Sequence, residues 1–330
     1  EPDSDQSDTR IDGDTSDTAD FPRLGVGERA IYLVMIMVPS DPDERDGNVY
    51  TKIRILDKQK LVAGDSVGWT DFVRMADPVS GQVGQLEMQP VVRQPGGGMF
   101  FVNLARTSSC DYGIWQIRSP LDEPTLSSTV AVADGPPGPD VVCRHPTDAE
   151  QPGDAPRLAT LRPVALPTEA VYRNGSLWVA RHVRIRDEEG DRGAIRWSEL
   201  LVEDGPSASF RQDAVLEFDD AWTFFPAVMA DADGNMGMVF GRSSESEHPS
   251  LYFTHRRADD PLGELREPLL LRAGEASLST GEENFIPGES VRYADFFGMS
   301  RDPSDGSWWM LGEYVIGPDR WGGWVANVRF

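Results

Sequence analysis

Residues 222–257 read WTFFPAVMADADGNMGMVFGRSSESEHPSLYFTHRR, and this stretch decides the fold. Thr223 to Ala230 is an apolar run, and Asp231-Ala-Asp-Gly-Asn235 has the composition of a tight turn. Met236 to Gly241 is a second run, a Ser/Glu-rich loop follows, and Ser250 to His255 alternates as a third. Period-two runs punctuated by Asp-Gly and serine predict an antiparallel meander.

The pattern returns in both directions along the chain. Upstream, Arg29 to Val38 is nearly continuous in apolar residues and Val49 to Asp57 alternates. Lys60 to Gly64 and Trp69 to Met75 are expected as outer strands of that unit. A second unit takes Gln85 to Arg93, Met99 to Ala105, Tyr112 to Arg118 and Leu126 to Ala133. A third takes Glu169 through Gly175 to Val183, Gly193 to Val202 and Ser207 to Phe218. The quoted stretch with Pro268 to Arg272 is the fourth, and Ser290 to Asp302, Ser307 to Ile316 and Trp321 to Phe330 make the last. Five such units of roughly 50 to 65 residues, without a convincing helix, amount to a repeat architecture. Sheets repeated about an axis leave only short, protected edges. The expectation is therefore an all-β propeller of about five four-stranded blades occupying residues 21–330 as one domain, with two packed sandwiches as the alternative.

Residues 1–20, EPDSDQSDTRIDGDTSDTAD, have almost nothing to bury and read as a disordered acidic linker or processed loop. The formal charge is −24, from 55 acidic against 31 basic residues. Such a surface argues against nucleic acid or anionic membrane as a partner, because both require concentrated positive charge. No apolar run approaches the about 20 residues of a spanning helix. The absence of an initiating Met suggests a processed chain whose targeting segment is gone.

Cys110 and Cys143 each sit in a polar loop. Too few Cys and His lie at short spacing for a metal site. A disulfide between them, hence an oxidising compartment, is the reading preferred over two unpaired thiols. His145, His182, His248 and His255 are scattered without ligand spacing. Asp41, Asp43 and Asp46, with Gly47, carry the start of a calcium-loop rhythm, so Ca2+ is the ion such a loop would take. The twelfth position from Asp41 is Lys52 instead of a bidentate Glu, which favours a hairpin loop without metal.

Several phrases resemble secreted bacterial β-propeller proteins of the sialidase-like superfamily: ADFPRLGVGERAIYL (19–33), VYRNGSLWVAR (171–181), AIRWSEL (194–200), FFPAVMADADGNMGMVFGRSS (224–244) and FGMSRDPSDGSWWMLGEY (297–314). The resemblance covers about residues 20 to 330 and is specific for fold, not for activity. It implies a blade upstream that has no counterpart here, so a sixth blade could come from another segment or a companion chain. Ser300, Asp302, Asp305, Gly306 and Trp308 resemble an Asp-box, and Asp231, Asp233 and Gly234 a weaker one; the role that resemblance implies is structural. A sialidase would need arginines on the substrate carboxylate and a Tyr–Glu pair, for which Arg23, Arg173, Arg196, Tyr293 and Glu313 are the residue types available. An arabinanase-like enzyme would need three carboxylates at the funnel. Trp308, Trp309, Tyr314, Trp321 and Trp324 concentrate late, and on a strand Trp308 and Trp309 face opposite ways. With no recognisable nucleophile–base pair, metal cluster or phosphate loop, the expected function is a secreted or envelope-attached scaffold. It would bind a protein or glycan or join a larger extracellular assembly, a glycoside hydrolase being the alternative.

Overall fold

The computed structural model describes residues 17–40, 49–84, 86–93, 98–105, 110–143, 147–160, 167–188, 190–203, 207–279 and 290–329. The chain divides into two compact units, residues 1–133 with 201–209, and residues 134–200 with 210–330. The fold class is all-β, with five blade-type antiparallel sheets in the manner of a β-propeller.

The first unit holds two of these sheets. One is formed in order by β1 (Thr18–Val26), β2 (Ala30–Val38), β3 (Tyr50–Asp57) and β4 (Trp69–Val73). In β2, Tyr32, Val34 and Ile36 are buried while Ile31, Leu33 and Met35 on the other face are only half so. The strands that follow are β5 (Gln89–Pro90), β6 (Val92–Arg93), β7 (Met99–Leu104), β8 (Tyr112–Arg118) and β9 (Thr125–Ala131), and the second sheet runs β5-β7-β8-β9. Between the two sheets the Tyr32 and Phe101 rings meet edge to face, with centroids 5.8 Å apart.

In the second unit come β10 (Val141–Val142), β11 (Arg157–Ala159), β12 (Pro167–Arg173), β13 (Ser176–Asp187) and most of β14 (Gly190–Glu203) and β15 (Ser207–Leu216), whose residues 201–203 and 207–209 are counted with the first unit. Strands β12 to β15 are consecutive neighbours in the third sheet. The quoted stretch forms β16 (Trp222–Ala230), β17 (Met236–Ser243) and β18 (Ser250–Arg256), completed by β19 (Leu269–Arg272). After β20 (Ser290–Arg292), which pairs in parallel with β11, the last sheet is β21 (Gly298–Arg301), β22 (Trp308–Gly317) and β23 (Arg320–Val328). Its packing on the fourth sheet is close: a Cβ on Gly237 would lie 2.4 Å from the Trp308 ring, and one on Gly312 would lie 2.2 Å from Leu251.

Some sequence expectations need correction. Lys60 to Gly64 is not an outer strand; Lys58–Ala63 is a helix, α1. The Asp57 side chain accepts the N–H groups of Gln59 and Lys60, and Gly64 closes the helix at φ +75°. The first strand among the described residues starts at Thr18, within the stretch expected as linker: Thr18 to Asp20 pair with the backbone of β2 and leave their side chains exposed. Ser290 to Asp302 is two strands, broken where Ala294 takes φ +48°. Gln85 to Arg93 likewise splits around Glu87, at φ +48°, and Pro90, with Gln85 outside the described residues.

A kink recurs that the pattern did not reveal. Phe21, before Pro22, and Phe225, before Pro226, have φ +48° and +49°, and each sits at a register shift in the first strand of its sheet. A left-handed phenylalanine is costly and persists only where the surroundings hold it.

Candidate functional site

The polar groups of greatest chemical interest in the second unit lie around Phe225. The bulge in β16 turns its ring onto His182 of β13 (5.2 Å between centroids), Tyr293 (6.3 Å) and Phe297 (5.8 Å). The Phe225 N–H donates to His182 Nε2 at 2.5 Å, and His182 Nδ1 has no partner. Burial, reinforced by the charge of Arg181, lowers the imidazole pKa to about 3, so the ring is neutral.

Glu169 of β12 accepts the backbone N–H groups of Met299 in β21 and Val228 in β16, while its Oε2 is buried without a partner. Burial outweighs those two donors and pushes the carboxyl up to about 8. At neutral pH Glu169 is therefore mostly an uncharged acid joining three strands. In the sequence His182 is one of four scattered histidines and Glu169 simply opens a strand, so neither stands out as a site. The signal available was slight: a lone carboxylate near the start of an otherwise apolar-alternating strand.

Tyr293 and Glu313, named from sequence, are electrostatically coupled. Tyr293 is 1% exposed, packs on Phe224 at 5.9 Å, and its hydroxyl has no partner. Burial, then the Glu313 charge, raises its pKa well above the ordinary value. Glu313 is half-buried on β22 and is pushed up to about 7 by burial and then by Asp295. Asp295 itself is paired with Arg292 at 2.8 Å. A carboxyl near 7 beside a second carboxylate can serve as a general acid. The tyrosine cannot serve as a nucleophile while it is enclosed by aromatic rings.

No arginine is among the charges that shift Tyr293 or Glu313. Arg196 is fully buried and spends its fork on Asp213, at 2.7 and 2.6 Å, with Cys143 Sγ 3.8 Å from its third nitrogen. Arg173 ends β12 beside the charges of Arg301, Asp231 and Asp233, and burial lowers its pKa. Arg23 belongs to the first unit, where it donates to the Glu87 carbonyl at 3.4 Å and burial lowers its pKa to about 10.

The carboxylates of the two expected turn motifs cap backbone. Asp302 Oδ1 accepts from Ser304 N, and its Oδ2 from Trp309 Nε1; Asp305 accepts from Ser307 N. Ser300 lies in β21 opposite Trp309, and Gly306 is at φ +75°. Trp308 is buried and Trp309 is exposed. Asp231 accepts from Asp233 N and Asn235 N, with Gly234 at φ +86°. A third such turn escaped the sequence reading: Asp77 to Gln82 (DPVSGQ) makes the same pair of backbone bonds as Asp302 to Ser307 (DPSDGS). In each, the Asp N–H reaches the carbonyl five residues on, and the glycine N–H returns to the Asp carbonyl.

Both cysteines are disulfide-bonded. Asp41, Asp43, Asp46 and His145 lie outside the described residues. Among the described residues no group of three or more His, Cys, Asp or Glu could hold a metal ion. His248 faces the Ser277 hydroxyl at 3.1 Å, and His255 stacks on Phe253. The first unit carries a separate cleft of about 640 Å³ lined by Glu28, Arg29, Tyr32, Gly98, Gln116, Arg118, Ser119 and Pro120. No described helix is long and apolar enough to cross a membrane.

No family model and no curated protein matches the chain. Among solved structures, a Trypanosoma rangeli sialidase bound to 2,3-difluorosialic acid aligns at 13% identity with a TM-score of 0.44. That alignment covers 93% of this chain and 46% of the sialidase, so the chain spans about half the length of that enzyme. A protein of unknown function from Dyadobacter fermentans aligns at 12% identity, TM-score 0.46, over 95% of this chain and 80% of that one. A β-xylosidase/α-arabinofuranosidase from a compost metagenome aligns at 11% identity, TM-score 0.29, over 95% and 92%. At these values the fold class rests on the chain's own sheets.

Proposed function

We propose that this protein is a non-catalytic binding or assembly scaffold of the extracellular space or cell envelope, with a protein or a glycan as partner. The observation that carries the reading is the last sheet, where Trp309, Leu311 and Val325 share one face and are 45%, 51% and 59% exposed. Large apolar side chains left open together mark interaction surfaces, and exposed indole stacks well on sugar rings or partner side chains. The inward groups support the same reading. Tyr293 is enclosed and Arg196 is committed to Asp213, so neither is open to a substrate in the way a sialidase would need.

Glu313 favours a second reading, glycoside hydrolysis, because its raised carboxyl lies beside Asp295. One experiment separates the two: the wild-type chain and the Trp309→Ala and Glu313→Gln variants are tested on an immobilised glycan panel for retention and for released sugar. The scaffold reading expects retention without release, lost in Trp309→Ala and kept in Glu313→Gln. Release that disappears in Glu313→Gln would establish the hydrolase instead.

A further inference from the structure

We propose that strand β23 is a self-association edge at which two copies of this chain pair their last sheets into one continuous six-stranded sheet. The first, second and fourth sheets have four strands and the third has six, whereas the last has only β21, β22 and β23 among the described residues, leaving one side of β23 open. Open edges are normally blunted by shortness, proline or charge. The outer strands β4 and β19 are five and four residues long, β19 follows Pro268, and β15 carries Arg211 and Asp213. Strand β23, RWGGWVANV, is nine residues long and, in a chain with 55 acidic residues, has no Asp or Glu and no proline.

The occupant follows from charge and shape. An antiparallel pairing of β23 with itself about Trp324 sets Trp321 opposite Asn327, Gly322 opposite Ala326 and Gly323 opposite Val325. The same register sets Asp319 opposite the partner's Arg329, once at each end of the interface. Both side chains are open to solvent, at 68% and 66% exposure, and Asp319 has only the long 3.7 Å pair with its neighbour Arg320 to give up. Arg329 also pairs with Asp305 in its own chain, and a guanidinium has donors enough for both carboxylates. The residues diagonal to Trp324 across the axis are Gly322 and Ala326, small enough to admit an indole. Sliding the register by two residues separates both ion pairs, so the ends select one alignment. The pairing stands whether or not the protein cleaves a glycan.

The test is a charge swap read by sedimentation equilibrium of the full chain, at about 0.15 M salt where the −24 charges repel only over a Debye length of about 8 Å. Wild type is expected to dimerise. Asp319→Arg and Arg329→Asp each place like charges across both ends and should weaken the dimer roughly tenfold or more. The double variant Asp319→Arg/Arg329→Asp restores opposite charges and should return to within about threefold of wild type. These positions are exposed, and a thermal midpoint equal to that of wild type, measured at a concentration low enough that every variant is monomeric, separates interface loss from misfolding. A wild type that stays monomeric at about 100 μM, single variants that dimerise as well as wild type, or a double variant that fails to recover would each overturn the proposal.

Discussion

The Nε2 of His182 accepts the backbone N–H of Phe225, a residue held at φ +49°. The bond fixes the tautomer with the proton on Nδ1 and gives the kinked strand a partner for an amide that the bulge takes out of the ladder. A neutral ring is thus a condition of the kink.

That relationship has a pH signature. The folded pKa of about 3 lies below the ordinary 6.5, so in acid the unfolded chain takes up a proton the folded one refuses. His182 contributes its stability fully above about pH 6.5 and loses it progressively as pH falls toward 3. Between pH 6 and 4 wild type should lose stability faster than His182→Gln by a slope approaching about 1.4 kcal/mol per pH unit. Urea titrations across that range measure it, and parallel pH profiles would show that the ring is not buried in neutral form.

Glu169 carries the opposite sign. Its folded pKa of about 8 exceeds the ordinary 4.5, so its contribution is complete below about pH 4.5 and is lost as pH rises through 8. Glu169→Gln keeps an acceptor for the Met299 and Val228 amides without the ionisation. The variant should be flatter than wild type between pH 5 and 8 and the more stable of the two at pH 8.5. Thermal midpoints at pH 5, 7 and 8.5 decide the matter; a variant less stable at every pH would mean the charged form is the bound one.

Gly237 and Trp308 define how closely the fourth and last sheets approach. A methyl at Gly237 would sit 2.4 Å from the indole and 2.9 Å from Phe253. Gly237→Ala should cost about 1–3 kcal/mol, as overpacking does in a filled core. Gly298→Ala, with open space around its Cβ position, is the control and should cost under about 1 kcal/mol. Chemical denaturation of both variants provides the comparison.

Asp77 and Asp302 hold turns with the same backbone bonds, and Asp77 accepts from Val79 N and Ser80 N much as Asp302 accepts from Ser304 N. Asp77→Ala and Asp302→Ala should therefore each cost on the order of 1 kcal/mol, the usual worth of a side-chain cap on turn amides. Equal losses on denaturation would confirm equivalent turns. A loss confined to Asp302 would make its Trp309 contact the important one.

Much of the fold was legible because a strand's side chains alternate and its turns need particular residues. Thr223 to Ala230, Asp231-Ala-Asp-Gly-Asn235 and Met236 to Gly241 could be placed on that basis alone. The helix Lys58–Ala63 was misread because six residues are too few for a helical period to show against a strand. The turn at Asp77 was overlooked because DPVSGQ shares only Asp, Pro and Gly with DPSDGS. Of the candidate site, Tyr293 and Glu313 were named by residue type, while the coupling between them depends on a fold that brings β22 beside the loop after β20.

By itself, then, the order of residues determined that this chain forms antiparallel sheets, where most of their turns fall, and that its surface is strongly acidic. These are local properties, set within a few residues by sterics, alternation and charge. Tertiary structure alone decided that Glu169 is an uncharged acid between two neighbouring strands, that Arg196 is committed to Asp213, and that Trp309 is open while Trp308 is enclosed. The reason is desolvation. A carboxyl or a guanidinium has its ordinary character in any sequence, and only the neighbours that replace its water give it another.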